Sequence, residues 1–275
     1  MMHIISKENP KIKLCNKLLG SKKSRQEMGL FFIEGARLCG DALDEWRKGK
    51  LELAAVFASE NALFKYKDYI NPEYFEDDRS GIFYTVDDNI CKKISDTKAN
   101  QGVFAIVKSK DNSLNIDEID SDGKYLILNN LQDPGNLGTL LRTADAVGIS
   151  GVILSNNCCD IYNPKVLRSA MGSIFRVKVY VENDFSKVID MLKSKQLKTS
   201  AAVVDKDAVS IIDADFSKGS AVVIGNEGNG LSNDDAMLCD ERVTIKMHGN
   251  INSLNAAMAG GIILWEMKRN GVGNE

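Results

Sequence analysis

The chain has 275 residues, of which 44% are hydrophobic and 27% are charged, and its formal net charge is −3. This composition predicts a globular protein of one large or two ordinary domains and argues against a chain that is basic throughout. The six cysteines form no C-x-x-C pair and there are only two histidines, so the sequence supports no zinc site. No apolar stretch suits a signal peptide or a membrane span, and we expect a cytoplasmic protein with reduced thiols that uses neither a metal nor a membrane.

Positive charge is concentrated at the N-terminus. Residues 1–25 carry one acidic residue, Glu8, and seven basic residues, namely Lys7, Lys11, Lys13, Lys17, Lys22, Lys23 and Arg25. A basic arm on an acidic chain is compatible with a nucleic-acid partner that docks at one face. A solvated charged helix explains the same charges equally well.

Residues 29–107 alternate between short apolar runs and amphipathic stretches. The alternation of strands and helices indicates a small α/β domain over residues 1–108. The predicted strands are 29–33, 53–58, 82–86 and 102–107, and the predicted helices are 36–48, 61–69 and 87–95. Residues 109–123 are polar and acidic, and we expect them to form a linker between domains.

The second half of the chain, residues 124–275, shows the same alternation. The predicted strands are 125–131, 151–155, 175–181, 199–204, 221–224 and 242–247, and the predicted helices are 137–147, 163–171, 184–197 and 254–267. Because strands alternate with helices throughout, we expect a mostly parallel sheet with helices on both faces.

A glycine-bearing loop follows the strand predicted at 221–224. Gly225, Gly228 and Gly230 allow the backbone of this loop to approach a ligand closely. The loop lies at the carboxyl end of its strand, where open α/β sheets bind ligands. No Gly-Lys-Ser/Thr follows, and the first strand–helix turn lacks G-x-G-x-x-G. These absences favour a nucleoside without phosphates as the ligand.

Asn136 directly precedes the helix predicted at 137–147, and Arg142 lies within it. Asn136 is a suitable N-cap, and Arg142 lies nearly two turns into the helix. The guanidinium of Arg142 is suited to binding phosphate or ribose oxygens. The alternative is that Arg142 is an ordinary surface residue.

Two further segments are candidates for binding. Ser253 precedes the apolar helix predicted at 254–267, and simple helix capping is the alternative to a functional role. Arg168 is one of three positive charges in residues 165–176, which also contain the flexible Gly172. This segment is a candidate RNA-facing loop, and an ordinary helix–turn–strand connection is the alternative.

Three segments of the second half, taken in order, resemble the sequence motifs of the SpoU/TrmH family of RNA ribose 2′-O-methyltransferases, which belongs to the SPOUT superfamily. They are NLGTLLRTADAVG, VVIGNEGNGLS and IKMHGNINSLNAAMAGGIILWEM. In the first half, SKENPKIK and KKSRQEMGLFFIEGARL resemble the substrate-binding domain of members that act on ribosomal RNA. The resemblance covers nearly the whole chain.

The resemblance implies an L30e/L7Ae-like RNA substrate-binding domain over residues 1–108 and a catalytic domain over 124–275 whose sheet ends in a C-terminal trefoil knot. It also implies S-adenosylmethionine as the cofactor, RNA as the substrate and a homodimer that completes the active site. The expected reaction is methylation of a ribose 2′-hydroxyl in ribosomal (23S) RNA. Methylation of transfer RNA and a non-catalytic role in RNA binding or ribosome assembly are the alternatives. A nicotinamide-dependent Rossmann enzyme would need the glycine fingerprint that this chain lacks.

The same resemblance assigns individual residues. The cofactor-binding positions are matched by Gly225, Ile245, Leu254 and the nearby Met247. The active-site positions are matched by Asn136, Arg142, Glu227, Ser253 and Asn255. The candidate RNA contacts are Lys11, Lys13, Lys22, Lys23, Arg25 and Arg168.

Arg142 is expected to position RNA phosphate and to stabilise developing negative charge, because a guanidinium gives up its proton too reluctantly to be a good base. Asn136, Ser253 and Asn255 would orient the RNA and Arg142, while Glu227 would hold either the glycine loop or Arg142 itself. The sequence departs from the family pattern in two places, the small residues AAMAGG after SLN and Trp265 where the family often has Tyr. Both departures concern helix packing and dimer contacts more than chemistry.

Overall fold

The computed structural model describes residues 2–155 and 157–269. Residue 1 and residues 270–275, the outer ends of the two predicted domains, lie outside the described residues. The chain forms two compact units. The N-terminal unit comprises the residues up to Asp111 together with Asp160–Phe175. The C-terminal unit comprises Asn112–Cys159 and the residues from Arg176 onward.

Strands and helices alternate along most of the described chain. The strands are β1 (Met2–Ile4), β2 (Leu30–Glu34), β3 (Leu53–Ala58), β4 (Phe83–Val86), β5 (Val103–Lys108), β6 (Lys124–Asn129), β7 (Gly151–Ser155), β8 (Val179–Val181), β9 (Lys198–Ala202), β10 (Val209–Ser210), β11 (Ser220–Ile224) and β12 (Glu241–Thr244). The helices are α1 (Pro10–Gly20), α2 (Lys22–Met28), α3 (Ala36–Arg47), α4 (Glu60–Lys65), α5 (Glu73–Glu76), α6 (Asp88–Ile94), α7 (Pro134–Val147), α8 (Pro164–Ala170), α9 (Phe185–Ser194), α10 (Asn233–Leu238) and α11 (Ala256–Arg269).

The N-terminal unit contains a five-stranded sheet in the order β1-β4-β3-β5-β2. Strands β1, β4 and β3 are parallel, while β5 is antiparallel to both of its neighbours. Phe32, Phe57 and Phe104 are buried in its core. The unit is thus a small α/β fold, as the sequence predicts, with the addition of the short edge strand β1.

The basic arm at the N-terminus folds as α1 and α2. Asn9 caps α1 by accepting a hydrogen bond from the backbone N of Lys11 at 2.9 Å. Ile12, Cys15 and Leu18 recur every three residues along α1 and are buried in the core of the unit. The arm is therefore an amphipathic helix, α1, followed by the short helix α2, whose buried residues are Ser24 and Arg25.

Asp160–Phe175 belongs to the N-terminal unit, although the sequence assigns these residues to the catalytic domain. The carboxylate of Asp160 pairs with the guanidinium of Arg25 at 2.6 Å, and the two side chains are only 11% and 6% exposed. The ring of Tyr162 stacks on Phe31 with 4.1 Å between centroids. Because an unpaired buried charge is strongly unfavourable, the ion pair holds this segment against α2.

The C-terminal unit contains a seven-stranded sheet in the order β10-β12-β9-β11-β6-β7-β8. Its described strand pairs are all parallel. Alternate residues of a strand face opposite sides, so Tyr125, Ile127 and Val223 pack in one core with α9. Helices α7 and α11 contact β6, β7 and β11 from the other side. The predicted α/β class with a parallel sheet and helices on both faces is confirmed.

Two predicted strands lose three or more residues at one end in the structure. Of the strand predicted at 175–181 only β8 forms, because Phe175 belongs to a 3-10 turn. Of the strand predicted at 242–247 only the part up to Thr244 forms, because the residues after Thr244 leave the sheet to line a cavity.

The predicted linker, residues 109–123, is partly built into the C-terminal unit. Ser113 pairs in parallel with Val181 of the edge strand β8. Ile119 is 3% exposed in the core, and Leu114 and Ile116 pack against the same core. These apolar residues anchor a segment that its polar composition alone marks as a connection. The predicted domain boundaries stay a prediction.

The trefoil knot also stays a prediction. Strand β9 separates β12 from β11, yet α11, which follows β12, packs against α7, β6 and β11. The chain after β12 therefore returns along the carboxyl ends of the strands before α11 begins. Within the described ranges, no helix has the length and apolarity needed to cross a membrane.

Helix α11 lies close to α7 because Gly260 has no side chain. A Cβ at Gly260 would lie 2.3 Å from Cδ2 of Leu140 and 2.7 Å from Cδ1 of Ile224, well inside van der Waals contact. A Cβ at Gly261 would instead meet nothing closer than Cγ2 of Thr143 at 4.0 Å. Of these two glycines, Gly260 therefore has a steric reason to lack a side chain.

Gly260→Ala is expected to destabilise the C-terminal unit by about 1–3 kcal/mol, because Leu140 and Ile224 are themselves buried and have little room to move. The matched variant Gly261→Ala is expected to be neutral or to stabilise the unit by up to about 1 kcal/mol, since alanine favours helix. Scanning calorimetry of both variants beside the wild type measures the difference. Equal melting temperatures for the two variants would contradict the close contact.

Candidate functional site

A cavity of about 440 Å³ opens at the carboxyl ends of β9, β11 and β12. Much of its wall comes from residues 225–231 after β11, 245–247 after β12 and 252–254 before α11. Apolar side chains, among them Ile211 and Ile263, complete the wall. The volume falls within the range of about 300–1,000 Å³ that is typical of small-molecule sites.

The glycine loop after β11, residues 225–231, is closed on itself. The backbone N of Asn226 donates to the carbonyl of Gly230 at 3.1 Å, and the N of Gly230 donates back at 2.9 Å. The side chain of Asn226 donates to the carbonyl of Asn130 at 3.0 Å. A Cβ on Gly225 would lie 2.3 Å from the carbonyl carbon of Gly230, so no side chain fits at this position. The loop therefore presents bare backbone to the cavity at Gly225.

The carboxylate of Glu227 joins the glycine loop to the N-terminus of α7. It accepts hydrogen bonds from the backbone N of Gln132 at 3.1 Å, from the backbone N of Asp133 at 2.8 Å and from Nδ2 of Asn136 at 3.2 Å. The first two donors belong to the turn before α7 and the third belongs to its first turn. Glu227 thus fixes the loop after β11 relative to the loop after β6.

The same hydrogen bonds determine the charge of Glu227. Partial burial by itself would raise the pKa of this carboxyl, because removal from water disfavours the charged form. The hydrogen bonds from the amides of Asp133 and Gln132 and from Asn136 outweigh burial and lower the pKa below its ordinary 4.5. Glu227 is therefore an ionised hydrogen-bond acceptor at neutral pH.

Asn136 and Asn255 extend this network to α11. Nδ2 of Asn255 donates to Oδ1 of Asn136 at 3.0 Å. Oδ1 of Asn255 accepts from the backbone N of Ala257 at 2.9 Å and from that of Met258 at 3.3 Å. A chain of side-chain hydrogen bonds therefore runs from Glu227 through Asn136 to the first turn of α11.

The two predicted helix caps are wrong. Helix α7 begins at Pro134, and its N-cap is Asp133, whose side chain accepts from the backbone N of Asn136 at 2.8 Å. Helix α11 begins at Ala256, and Asn255 accepts the hydrogen bonds of its first turn. The side chain of Asn136 is instead held by Glu227 and Asn255, and that of Ser253 lines the cavity.

Arg142 is exposed on α7 and does not join this network. An α-helix places a residue six positions along about 9 Å further on and rotated by about 120°, so Arg142 faces away from Asn136. In the part of the chain that the structure describes, its guanidinium has no hydrogen-bond or ion-pair partner. It is therefore free to bind an anion from outside the unit.

The structure brings most of the predicted site residues together. The cavity is lined by the four predicted cofactor residues and by two predicted active-site residues, namely Gly225, Ile245, Met247, Leu254, Glu227 and Ser253. Asn136 and Asn255 are connected to them by hydrogen bonds, whereas Arg142 stands apart. Among the described residues, no group of His, Cys, Asp and Glu side chains is placed to hold a metal ion.

Sequence reasoning missed Gln132, Asp133 and Asn226 as parts of the site. Gln132 and Asp133 contribute their backbone N atoms to Glu227, and Asn226 ties the glycine loop to Asn130. The turn cluster QDPGN marked the first two as a loop, but no residue type signals a backbone donor. The role of Asn226 is visible only once the two loops are placed side by side.

Most of the predicted RNA contacts are accessible. Lys13, Lys22 and Lys23 are exposed, and Lys11 is partly exposed with its Nζ 4.9 Å from the centre of the Tyr84 ring. The ion pair of Lys13 with an exposed glutamate is weak in water and leaves the lysine able to exchange partners.

Arg168 is also accessible, at 37% exposure, and its guanidinium pairs with Asp96 at 2.8 Å. Arg25, in contrast, is 5% exposed, and it donates to the carbonyl oxygens of Leu18 and Leu19 as well as to Asp160. We therefore correct the predicted RNA contact of Arg25, because its guanidinium is buried inside the N-terminal unit and hydrogen-bonded there.

Comparison with known proteins matches one family profile to each half of the chain. The profile described as the SpoU rRNA Methylase family matches residues 123–265, which is more than half of the chain. The chain belongs to the SpoU rRNA methylase family. The profile described as the MRM3-like substrate binding domain matches residues 9–105 of this SpoU protein. The predicted family resemblance is confirmed.

Individual relatives match this SpoU protein over nearly its whole length. The 23S rRNA (guanosine(2553)-2′-O)-methyltransferase RlmP of Bacillus subtilis is 29% identical over 271 residues, which cover 98% of this chain and 100% of the relative. The 23S rRNA (uridine(2479)-2′-O)-methyltransferase of Streptomyces viridochromogenes is 28% identical, with coverage of 96% and 91%. The crystal structure of an AdoMet-bound rRNA methyltransferase from Sinorhizobium meliloti is similar with a TM-score of 0.83 at 27% identity, and the match covers 98% of each chain.

Glu227→Gln is expected to destabilise the C-terminal unit by about 1 kcal/mol at pH 7, because the glutamine amide turns a donor toward backbone N–H groups. The loss is no larger because the site is open to water. The pKa of Glu227 is lowered in the folded state, so its stabilising contribution is full above about pH 4.5 and is lost as the pH falls through the lowered pKa. Melting temperatures of wild type and variant at pH 7 and in acid measure this. A gap that is equally wide in acid would contradict the assignment.

Proposed function

We propose that the protein is an S-adenosylmethionine-dependent methyltransferase that modifies a ribose 2′-hydroxyl of 23S ribosomal RNA. The observation that carries the proposal is the cavity at the carboxyl ends of β9, β11 and β12, whose wall includes all four residues expected to bind the cofactor. Membership of the SpoU rRNA methylase family supports the reaction class. Two relatives that are named as 23S rRNA 2′-O-methyltransferases support the substrate class.

The cavity fits the cofactor by size and chemistry. Apolar surface suited to an adenine ring comes from Ile245, Leu254 and Ile263. Gly225 contributes only backbone to the wall, because a Cβ at this position would overlap the opposite side of the glycine loop. A structural relative of the same fold is described as AdoMet-bound. When bound, the cofactor supplies a methyl group activated on a sulfonium, and its transfer requires no metal.

Polar residues near the opening of the cavity then orient the RNA and stabilise the negative charge that develops on the ribose oxygen. Glu227 is unsuited to accept the hydroxyl proton, because three donors hold its carboxylate in the ionised form. Arg142 is unsuited as a base because a guanidinium stays protonated under ordinary conditions. Because Arg142 stands apart from the cavity of its own chain, we assign it to bind RNA phosphate and to stabilise negative charge on a 2′-oxygen held at the cavity of a second copy, as the proton leaves to water or a neighbouring group. Asn136, Ser253 and Asn255 orient the ribose.

Ribosomal RNA is preferred to transfer RNA because of the N-terminal unit. The substrate-binding profile covers residues 9–105, and both 23S rRNA relatives match nearly the whole chain. Their names give a guanosine and a uridine as targets, so the proposal specifies the RNA class and the reaction but not the nucleotide. A ribosomal substrate also favours a cytoplasmic location.

We further propose a homodimer formed through α11. Met258, Ile262 and Trp265 recur at i, i+4 and i+7 and are 62%, 37% and 62% exposed, which forms an apolar stripe on one helix face. Arg142 lies beside Thr143 of α7, the residue nearest to α11 at Gly261. A second copy of the protein packed on this stripe would bury the apolar side chains. It would also place residues of the second copy near Arg142 of the first.

Titration calorimetry with S-adenosylmethionine tests the cofactor site. The wild type is expected to bind one equivalent per chain, and Gly225→Ala is expected to abolish binding because its Cβ would force the loop open. Gly228→Ala is the matched control, since the nearest atom to its Cβ would be Oδ1 of Asn226 at 3.4 Å. A wild type that binds no cofactor, alone or with rRNA fragments, would refute the proposed enzyme.

Mapping of 2′-O-methyl groups on rRNA from a deletion strain, followed by turnover assays, tests the reaction. Arg142→Ala is expected to lower turnover at least about 100-fold without changing the Kd for S-adenosylmethionine, because it removes charge stabilisation in the transition state. Thr139→Ala, on the same exposed face of α7, is the control. Near-normal turnover of Arg142→Ala would rule out this role. Methylation of transfer RNA alone would show that the substrate is transfer RNA and not ribosomal RNA.

Analytical ultracentrifugation tests the dimer. The wild type is expected to sediment as a dimer and Trp265→Asp as a monomer, because a buried aspartate in an apolar interface would lack a partner. Met237→Asp is the matched control, since Met237 is 80% exposed on α10 and lies outside the stripe. A monomeric wild type, or a dimeric Trp265→Asp, would exclude this interface.

A further inference from the structure

An open groove of about 530 Å³ lies beside the cofactor cavity. It is bounded by residues 204–206 after β9 and by residues 244–249 at the end of β12 and beyond. Groove and cavity share a common wall, which consists of Val204, Thr244, Ile245, Met247 and Asn252. Because β9 and β12 are neighbouring parallel strands, the groove lies at their carboxyl ends, the edge at which open α/β sheets bind ligands.

The groove carries positive charge. Lys206, Lys246 and His248 line it and are exposed. Asp205, the acidic residue of its described lining, is paired with Arg242 at 2.9 Å. The charges of Lys206 and Lys246 are therefore not compensated within the groove, and the ligand that such a surface attracts is a polyanion.

The groove also offers apolar contacts. Val204 and Ile251 belong to its lining and are 73% and 59% exposed. Ile245 and Met247 adjoin them on the wall shared with the cavity. Side chains of this kind suit the flat faces of nucleobases, and single-stranded RNA combines such faces with regularly spaced phosphates.

We propose that this groove holds the RNA strand next to the nucleotide that is methylated. A base packs on Val204 and Ile251, and phosphates contact Lys206 and Lys246. The inference rests on the RNA methyltransferase function proposed above and adds a second region of contact with the same RNA. Because the groove and the cofactor cavity share a wall, a strand held in the groove sets which nucleotide faces the methyl donor.

The test uses the full chain and a fluorescein-labelled single-stranded RNA of about 12 nucleotides of mixed sequence, a length within the range that strand-tracking grooves accommodate. In the double variant Lys206→Gln/Lys246→Gln, the Kd for this RNA measured by fluorescence anisotropy is expected to rise about fivefold or more at 0.1 M salt. The slope of log affinity against log salt is expected to become shallower by about 0.7 for each phosphate that the variant no longer neutralises. Both lysines are exposed, so folding should be unaffected.

Lys195→Gln/Lys218→Gln is the matched control. These two lysines precede β9 and β11 and therefore lie at the amino ends of the same sheet, opposite the groove. Their replacement removes the same charge and is expected to leave the Kd and the salt slope unchanged. Val204→Ser tests the apolar contact, and it is expected to raise the Kd without changing the salt slope.

An unchanged Kd and salt slope in Lys206→Gln/Lys246→Gln would overturn the proposal that the groove binds RNA. An equal loss of affinity in the control variant would also overturn it, because the loss would then reflect only the general charge of the protein. A weaker affinity for S-adenosylmethionine in the groove variant would overturn it too, because the lysines would then act on the cofactor site. Since RNA binding is measured without turnover, a wild type that lacks methylation would count against the proposed function alone.

Discussion

The site depends on one carboxylate. Glu227 accepts hydrogen bonds from two backbone N atoms and one side-chain amide that come from the opposite loop. Moving the loops apart would take this acceptor away from all three donors, and because these hydrogen bonds are open to water their loss costs about 1 kcal/mol rather than the larger penalty of buried donors. The loops after β6 and β11 therefore keep their separation because the ionised carboxylate lies between them.

The position of the cavity follows from the parallel sheet. Parallel strands deliver their carboxyl ends to one edge, so the loops after β9, β11 and β12 meet around a single cavity. The close approach of α11 to α7 at Gly260 then brings Asn255 within reach of Asn136. Arg142, on another face of α7, remains directed away from this network. The unit thus separates the residues that line the cavity from the charge of Arg142.

The sequence predicts those parts of the fold that depend on local pattern. Strands β3 and β7 match their predicted ends because each is an apolar run bounded by polar residues or glycine. The residues that line the cavity were found because their order along the chain resembles known motifs. The helix caps were misplaced because Asp133 and Asn136, like Ser253 and Asn255, are residue types that cap equally well.

What the sequence does not predict depends on distant partners. Arg25 reads as part of a basic arm, and its burial follows from Asp160, which is 135 positions away. Helices α1 and α2 were obscured by their lysines, although Ile12, Cys15 and Leu18 carry a helical pattern. The backbone donors to Glu227 have no sequence signature, because any residue except proline supplies an N–H group.

The placement of Asp160–Phe175 has a consequence for the order of folding during synthesis. The chain completes most of the N-terminal unit, passes into the C-terminal unit and then returns with Asp160, Val166 and Leu167, which are buried against the first unit. Chains emerge from the ribosome N-terminus first, and domains generally fold as units. The first unit to emerge therefore cannot complete its core until residue 175 is available. Relatives could exchange these units as independent modules only if the returning segment moved with the N-terminal one.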